Sequence, residues 1–392
     1  MKTSIKSMPS AILFPKLKPV ELIYIFCFIP FLSISWLKNT IPESLYSGYQ
    51  VASMFILFLL VLKFSPLIKL DLFCWSFLLY HALILFSTVL RHGISWGIIV
   101  TTLACIFCVL LVQVDLHRIL HALSVTFIIC ILLNIFSIFF NKETISPEFF
   151  VGGKNAFSIF FVPACFTILL CGILRTSRIS KSVHFLVIAS IIMTLWAGSS
   201  TGIITVLSMA LGLVWIKRHR LNAKLCIFIF LTANFVLVFL SEILVNSQLW
   251  IWFTGLFSKD ATLTSRMMIW NQTLSSIGNN LFFGAGRGTQ IEYTSQWGYT
   301  VIASEAHNHI LEILFEGGLV GFSFYCIFFW QAVKKLNMQS LLHRMAFLAV
   351  LVLLINGFAE AITNKLMVYL IIAFAYSLSK NKVTELSYGK QI

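Results

Sequence analysis

The chain has 392 residues, of which 59% are hydrophobic and 11% charged, and it carries 38 Phe. No soluble domain hides that much apolar surface, so the composition excludes a water-soluble globule and points to a polytopic helical membrane protein. The net charge of +14 does not indicate a nucleic-acid partner, because Lys and Arg stand in short clusters between apolar runs and not in a basic patch interleaved with stacking aromatics.

Met1–Val20 places Lys2, Lys6, Lys16 and Lys18 ahead of the first apolar run, and no small-residue cleavage site follows that run. The expectation is an uncleaved first span. Twelve spans are predicted, at about 20–36, 48–62, 72–90, 93–111, 119–140, 157–174, 183–198, 202–216, 225–246, 318–333, 345–359 and 366–379. Each is long enough, or nearly so, for a hydrocarbon core of about 30 Å. With the N-terminus inside, 20 Lys and Arg fall on the cytoplasmic side and eight outside: Lys38, Arg91, Lys142, Lys154, Lys259, Arg266, Arg287 and Lys365. That asymmetry has the expected direction for an even number of spans with both termini cytoplasmic. Glu43, Glu143, Glu148, Asp260, Glu292, Glu305, Glu312, Glu316 and Glu360 all fall on the outer side. The outer cations are therefore few, and they need a reason.

All nine cysteines lie inside apolar runs, which implies no disulfide framework, and Cys105-x-x-Cys108 reads as core packing with no partner pair for a metal.

Two short outer segments are candidates for contact with a ligand. Asn141–Ala156 ends in Gly152-Gly153-Lys154-Asn155, a turn that delivers Lys154 and Asn155 to the mouth of the sixth span. Gly198-Ser199-Ser200-Thr201-Gly202 joins the seventh and eighth spans so tightly that it must sit at the outer membrane–water boundary. Ordinary turn chemistry and a snorkelling lysine are the bland explanations of both.

Ser247–Ala306 is the one long polar interval, and with the helix that follows it forms an insertion over 247–317. Thr262–Ser275 predicts a helix capped by Thr264 or Ser265, with Arg266 in its first turn and Trp270 four residues on, at cation–π spacing. Arg287 stands in Gly284-Ala285-Gly286-Arg287-Gly288, where glycines let a backbone approach a ligand and turn N–H groups toward an anion. No strand precedes this run, so it is no dinucleotide fingerprint. From Glu305 to Phe315 the pattern is helical: His307 shares a stripe with Ile310, Leu311 and Leu314 facing the bundle, while Glu305, His309, Glu312 and Glu316 take the opposite stripe.

Two arginines and a histidine outside the membrane suit a lipid-linked diphosphate. Arginine holds phosphate bidentately and keeps its charge, fixed cations stabilise a departing diphosphate, and a neutral histidine accepts a proton from an attacking hydroxyl. No Asp-x-Asp pair for a metal–nucleotide-sugar is present, and no His/Cys ligand set, so neither metal nor cofactor is expected.

The run Ser265-Arg266…Trp270, Gly284-Ala285-Gly286-Arg287-Gly288 and Ala306-His307-Asn308…Leu311…Glu316-Gly317-Gly318-Leu319-Val320-Gly321 resembles the signature of the O-antigen ligase/polymerase superfamily. The resemblance implies an all-α polytopic membrane protein of about twelve transmembrane helices, GT-C-like, with a large periplasmic loop between spans nine and ten. It implies a bacterial inner-membrane glycosyltransferase whose donor is an undecaprenyl-diphosphate-linked oligosaccharide. A glycan or lipid A-core is the acceptor; membrane lipids and a chain-length regulator are further partners. Catalytic roles pass to His307, Arg266 and Arg287, and substrate-binding roles to Lys154, Asn155, Ser200, Thr201, Trp270 and Asn308. Ligases of the family carry an arginine in the turn between spans seven and eight, where this chain has Ser199-Ser200-Thr201. That departure favours a polymerase of O-antigen or capsule repeat units over a ligase and leaves Lys154 as a substitute cation.

A secondary transporter is the rival from another class, but transporters collect charges and broken helices at midplane, whereas here only His81 interrupts the span centres. A flippase handles the same lipid but needs a charged central cavity, which the spans do not offer.

Overall fold

The computed structural model of the chain describes residues 17–140, 149–176, 181–219, 222–240, 243–244, 246–255, 265–295 and 298–380. Lys2, Lys6, Lys16, Lys142, Glu143, Glu148, Arg178, Arg220, Lys259, Asp260, Thr264, Lys382 and Lys390 lie outside these residues.

Apolar runs become helices because, in a hydrocarbon phase, a helix satisfies all its backbone groups internally. In chain order they are α1 (Pro19–Phe28), α2 (Ser35–Thr40), α3 (Glu43–Phe64), α4 (Leu72–His92), α5 (Trp96–Phe140), α6 (Ala156–Thr176), α7 (Lys181–Ala197), α8 (Ser200–Arg218) and α9 (Ala223–Phe239). The polar interval contributes α10 (Gln248–Gly255), α11 (Arg266–Asn279) and an antiparallel hairpin, β1 (Ile291–Thr294) with β2 (Thr300–Ala303), in which Tyr293 pairs Val301. Then come α12 (His309–Val333), α13 (Leu341–Asn356) and α14 (Leu366–Lys380). Among the described residues, five stretches are long and apolar enough to cross a membrane: Glu43–Leu67, Leu72–His92, Trp96–Ile138, Ala156–Thr176 and His309–Val333; six shorter apolar helices accompany them. The architecture is that of an all-α membrane protein with one hairpin in its polar insertion.

Three predicted spans, the first, the fourth and the fifth, depart from the expectation of one separate, continuous helix each. The first breaks at a 3-10 turn over Ile29–Phe31, where Pro30 removes a donor. The fourth and fifth join in α5, whose 45 residues at 1.5 Å each reach roughly 65 Å, about twice the hydrocarbon thickness. Non-helical dihedrals at Asp115 divide it, and there Tyr24 donates a 2.9 Å hydrogen bond to the Asp115 carboxylate.

The insertion is fastened to the bundle at a break in α12. Gly318 (φ 61°, ψ −166°) interrupts the helix, and the freed backbone groups find partners in the insertion. Ala285 N donates to Phe315 O (2.7 Å), Gly286 N to Glu316 O (3.1 Å), Leu319 N to Leu281 O (2.8 Å) and Val320 N to Phe282 O (3.1 Å). α4 holds the same segment from its other side: Ser87 Oγ donates to Phe283 O (2.7 Å), and Arg287 N donates to Thr88 Oγ1 (2.8 Å). A methyl group at Gly286 would lie 2.7 Å from Thr88 N, and one at Gly318 would lie 2.6 Å from Gly284 N. The glycines therefore serve a close approach of backbone to backbone, not the approach to a ligand that the sequence suggested.

Gly318→Ala should lower thermal stability in detergent by roughly 3 kcal/mol or more, since it combines a glycine-only backbone conformation with a steric clash. Gly97→Ala, where a methyl meets nothing within 4 Å, should stay within about 1 kcal/mol of wild type. Equal melting points for the two variants would refute the docking role.

Candidate functional site

At the end of the bundle where the N-termini of α6, α8 and α11 converge with the C-terminus of α13, a cavity of about 700 Å³ opens beneath the hairpin and α10. Six of the nine sequence-predicted site residues line it: Lys154, Asn155, Ser200, Thr201, Arg266 and His307. The insertion contributes Trp250, Thr254, Tyr293 and Ser304, and the wall includes apolar side chains such as Ile204, Leu237 and Phe358. A second cavity of about 830 Å³ lies against α2, α3 and α5, but none of the predicted residues lines it.

Arg266 is the first residue of α11, placed there by Ser265, whose left-handed backbone (φ 67°) starts the helix. Its Nη1 donates to Thr201 Oγ1 at 3.1 Å and its Nη2 to Glu360 Oε1 at 2.7 Å. One guanidinium thus ties α11 to the start of α8 and to the segment after α13. Its side chain stays 15% exposed, toward the cavity. Lys154 adds a second cation, and Asn155 is held by Ser199 Oγ donating to its Oδ1 at 3.2 Å.

His307 stands just before α12, not within it as the periodicity predicted. Asn308 is the true cap: its Oδ1 accepts from Ile310 N and Leu311 N, both at 3.1 Å. The His307 backbone has φ 48°, a conformation costly for a side-chain-bearing residue and one that accumulates at functional sites. It is held there from both sides, because Ala306 N donates to the Glu312 carboxylate at 2.6 Å and Asn308 Nδ2 to Phe358 O at 3.1 Å. His307 Nδ1 lies 3.6 Å from Glu305 Oε1 and 3.7 Å from Glu360 Oε2. Both distances exceed a hydrogen bond, so the buried Nδ1 faces two carboxylates without a direct hydrogen-bond partner.

The predicted facing of the carboxylates is overturned as well. His309, Glu312 and Glu316 are buried, not turned away from the bundle. Each has found a polar partner inside: His309 Nε2 pairs Tyr325 Oη at 2.8 Å, Glu312 takes the Ala306 amide, and Glu316 takes Arg287.

Arg287 does not line the cavity. Its Nε and Nη2 reach the two oxygens of Glu316 at 3.1 and 3.2 Å. Burial works against its charge, but Glu316 outweighs that and holds the guanidinium protonated above its ordinary range. The glycine run around it gives its N–H groups to protein acceptors. Trp270, expected over Arg266, is fully buried in a small core beneath the insertion with Met267, Ile291, Leu311 and Phe315. Asn308 is likewise buried and structural in position.

Glu305 and Glu360 were missed as site residues. The sequence shows them only as two outer-side acids, 55 residues apart, and no spacing rule links them. Burial raises the Glu305 carboxyl above its ordinary range; His307, Lys365 and Arg266 oppose that rise, and Glu360 adds to it. Ligand atoms of Glu305, His307 and Glu360 lie within 4.8 Å of one another, a grouping able to hold a metal ion that no spacing in the sequence announces. Arg266 already matches the charge of Glu360, so a divalent ion there would compete with the guanidinium.

Residues 185–326 match the family model described as O-antigen ligase, from α7 through the insertion into α12. The match covers 142 of the 392 residues, about a third of the chain, and supports a likeness to the O-antigen ligase/polymerase superfamily. No curated protein matches the chain.

Arg287→Ala should destabilise the protein by about 3 kcal/mol, because it strands the buried Glu316 carboxylate, whereas Lys154→Ala should leave the melting temperature unchanged. Thermal melts of the two purified variants check this, and an unshifted Arg287→Ala would show that the pair is not structural.

Proposed function

We propose, from the premise that 185–326 is an O-antigen ligase-type domain, that this chain is a glycosyltransferase of the bacterial inner membrane. It takes an undecaprenyl-diphosphate-linked glycan as donor and works on the periplasmic side. The observation that carries this reading is the placing of Arg266, Lys154 and His307 on one partly apolar cavity. The apolar wall suits a polyprenyl chain, the two cations suit its diphosphate, and the imidazole suits an acceptor hydroxyl.

The reaction divides among these groups. An acceptor hydroxyl attacks the anomeric carbon of the donor sugar as its proton passes to His307 Nε2. The bond from that carbon to the diphosphate oxygen breaks, and the diphosphate leaves with the electron pair. Arg266 and Lys154 stabilise the charge it gains, the part a divalent ion plays in nucleotide-sugar enzymes. Glu305 and Glu360, whose oxygens lie 3.6 and 3.7 Å from Nδ1, stabilise the imidazolium through their charge once it forms. Arg287 acts through the fold, by pinning the insertion to the break in α12.

Polymerisation of O-antigen or capsule repeat units is the favoured outcome, because the turn between α7 and α8 presents Ser200 and Thr201, with Lys154 supplying the cation beside them. Transfer to lipid A-core is the second reading, favoured by the description of the matching family.

Gel analysis of surface polysaccharide from a knockout strain separates the two. Single repeats on the core identify a polymerase, and bare core with polymer retained on the carrier identifies a ligase. Complementation with His307→Ala or Arg266→Ala should restore less than about 1% of product, given losses of 10²-fold or more for such groups. Wild-type product length from both variants would refute the site.

A further inference from the structure

Glu360 is nearly inaccessible, 3% exposed, yet it touches both functional groups of the cavity. Its Oε1 lies 2.7 Å from Arg266 Nη2 and its Oε2 lies 3.7 Å from His307 Nδ1. The two halves of one carboxylate thus face the diphosphate-binding cation and the base. The backbone that carries it is fixed relative to His307: His309 N donates to Gly357 O at 2.8 Å, and Asn308 Nδ2 donates to Phe358 O at 3.1 Å. A methyl on Gly357 would meet His309 Cβ at 2.8 Å, so these strands of chain pass as closely as backbones can. Arg266 is held at its guanidinium, by Thr201 Oγ1 at 3.1 Å and by Glu360 itself. It reaches Glu360 from another element, through a long side chain at the edge of the cavity.

We infer that Glu360 is a positioning residue that couples donor binding to the base: a bound diphosphate draws Arg266 away, and the released carboxylate turns its charge to His307. This rests on the reading of the cavity as a lipid-diphosphate site. In the resting protein Arg266 neutralises Glu360, so the pair waits as an ion pair and His307 is supported chiefly by Glu305. A diphosphate offers Arg266 a stronger, bidentate partner. Glu360, buried and unable to reach water, is then left facing the imidazole, where it stabilises the imidazolium formed by proton transfer. The charged groups around the imidazole are Glu305, Glu360 and Arg266, with Lys154 on the cavity wall and Lys365 acting on Glu305. The base is thereby strengthened when the leaving group is in place.

The arrangement has an unusual signature, since Glu360 competes with substrate for Arg266 while aiding the chemical step. In Glu360→Gln the amide keeps the shape and loses the charge. Full-length protein in lipid nanodiscs should then bind undecaprenyl diphosphate several-fold more tightly than wild type, while kcat for glycan transfer falls roughly 10- to 100-fold. In an Arg266→Ala background the same substitution should give no gain in binding. A residue that merely supports the fold would weaken both quantities together. Equal losses in binding and turnover, or no change in either, overturn the inference while leaving the site intact. Failure of wild-type protein to bind undecaprenyl diphosphate overturns the functional reading, and the inference with it.

Discussion

A polar segment can rest on a membrane-embedded bundle only where its backbone groups and charges meet partners, and here the break in α12 supplies them. Gly318 frees carbonyls and amides that a continuous helix would have kept, and residues 281–286 take them up. The bidentate Arg287–Glu316 pair locks the joint electrostatically. Everything functional is downstream of this fastening. α11 projects from one side of it and presents Arg266. His307 sits ahead of α12, where Asn308 and Glu312 fix the turn.

The site is assembled from distant parts of the chain. Lys154 comes from the approach to α6, Thr201 from the head of α8, Arg266 from the insertion, His307 from the turn before α12, and Glu360 from beyond α13. Such a site suits a reaction that needs charges held in place in advance, because each group is set by an element packed for other reasons. The strained backbone at His307 is tolerated for the same reason: buried hydrogen bonds on either side fix it.

The sequence showed the apolar segments plainly, and the expectation of a helix capped by Thr264 or Ser265 put Arg266 in its first turn, where the structure has it. Lys154, Asn155, Ser200 and Thr201 were legible as tight turns at one end of the bundle. Helical periodicity misled at 305–316, because it assumes the helix begins where the pattern does. Asn308 caps it later, which takes His307 out of the helix, and Glu312 and Glu316 turn inward to buried partners, the Ala306 amide and Arg287, that an apolar stripe does not reveal. The hairpin was also overlooked, although Ile291-Glu292-Tyr293-Thr294 alternates apolar and polar residues as a strand does. Arg287 and Glu360 could not have been sorted from sequence. Both arginines pair with a buried acid, and which of the two also reaches a cavity is decided by tertiary packing alone.

The central claim is that a lipid diphosphate occupies the cavity shared by Arg266, Lys154 and His307. A photoactivatable polyprenyl diphosphate, cross-linked to the full-length protein in nanodiscs and mapped by mass spectrometry, tests it most directly. Attachment to peptides carrying Lys154–Asn155, Ser200–Thr205 and Trp250–Thr254 is the expected result. Attachment confined to the second cavity, around Lys38, Gln50 and Lys365, or to the opposite end of the bundle, would contradict it.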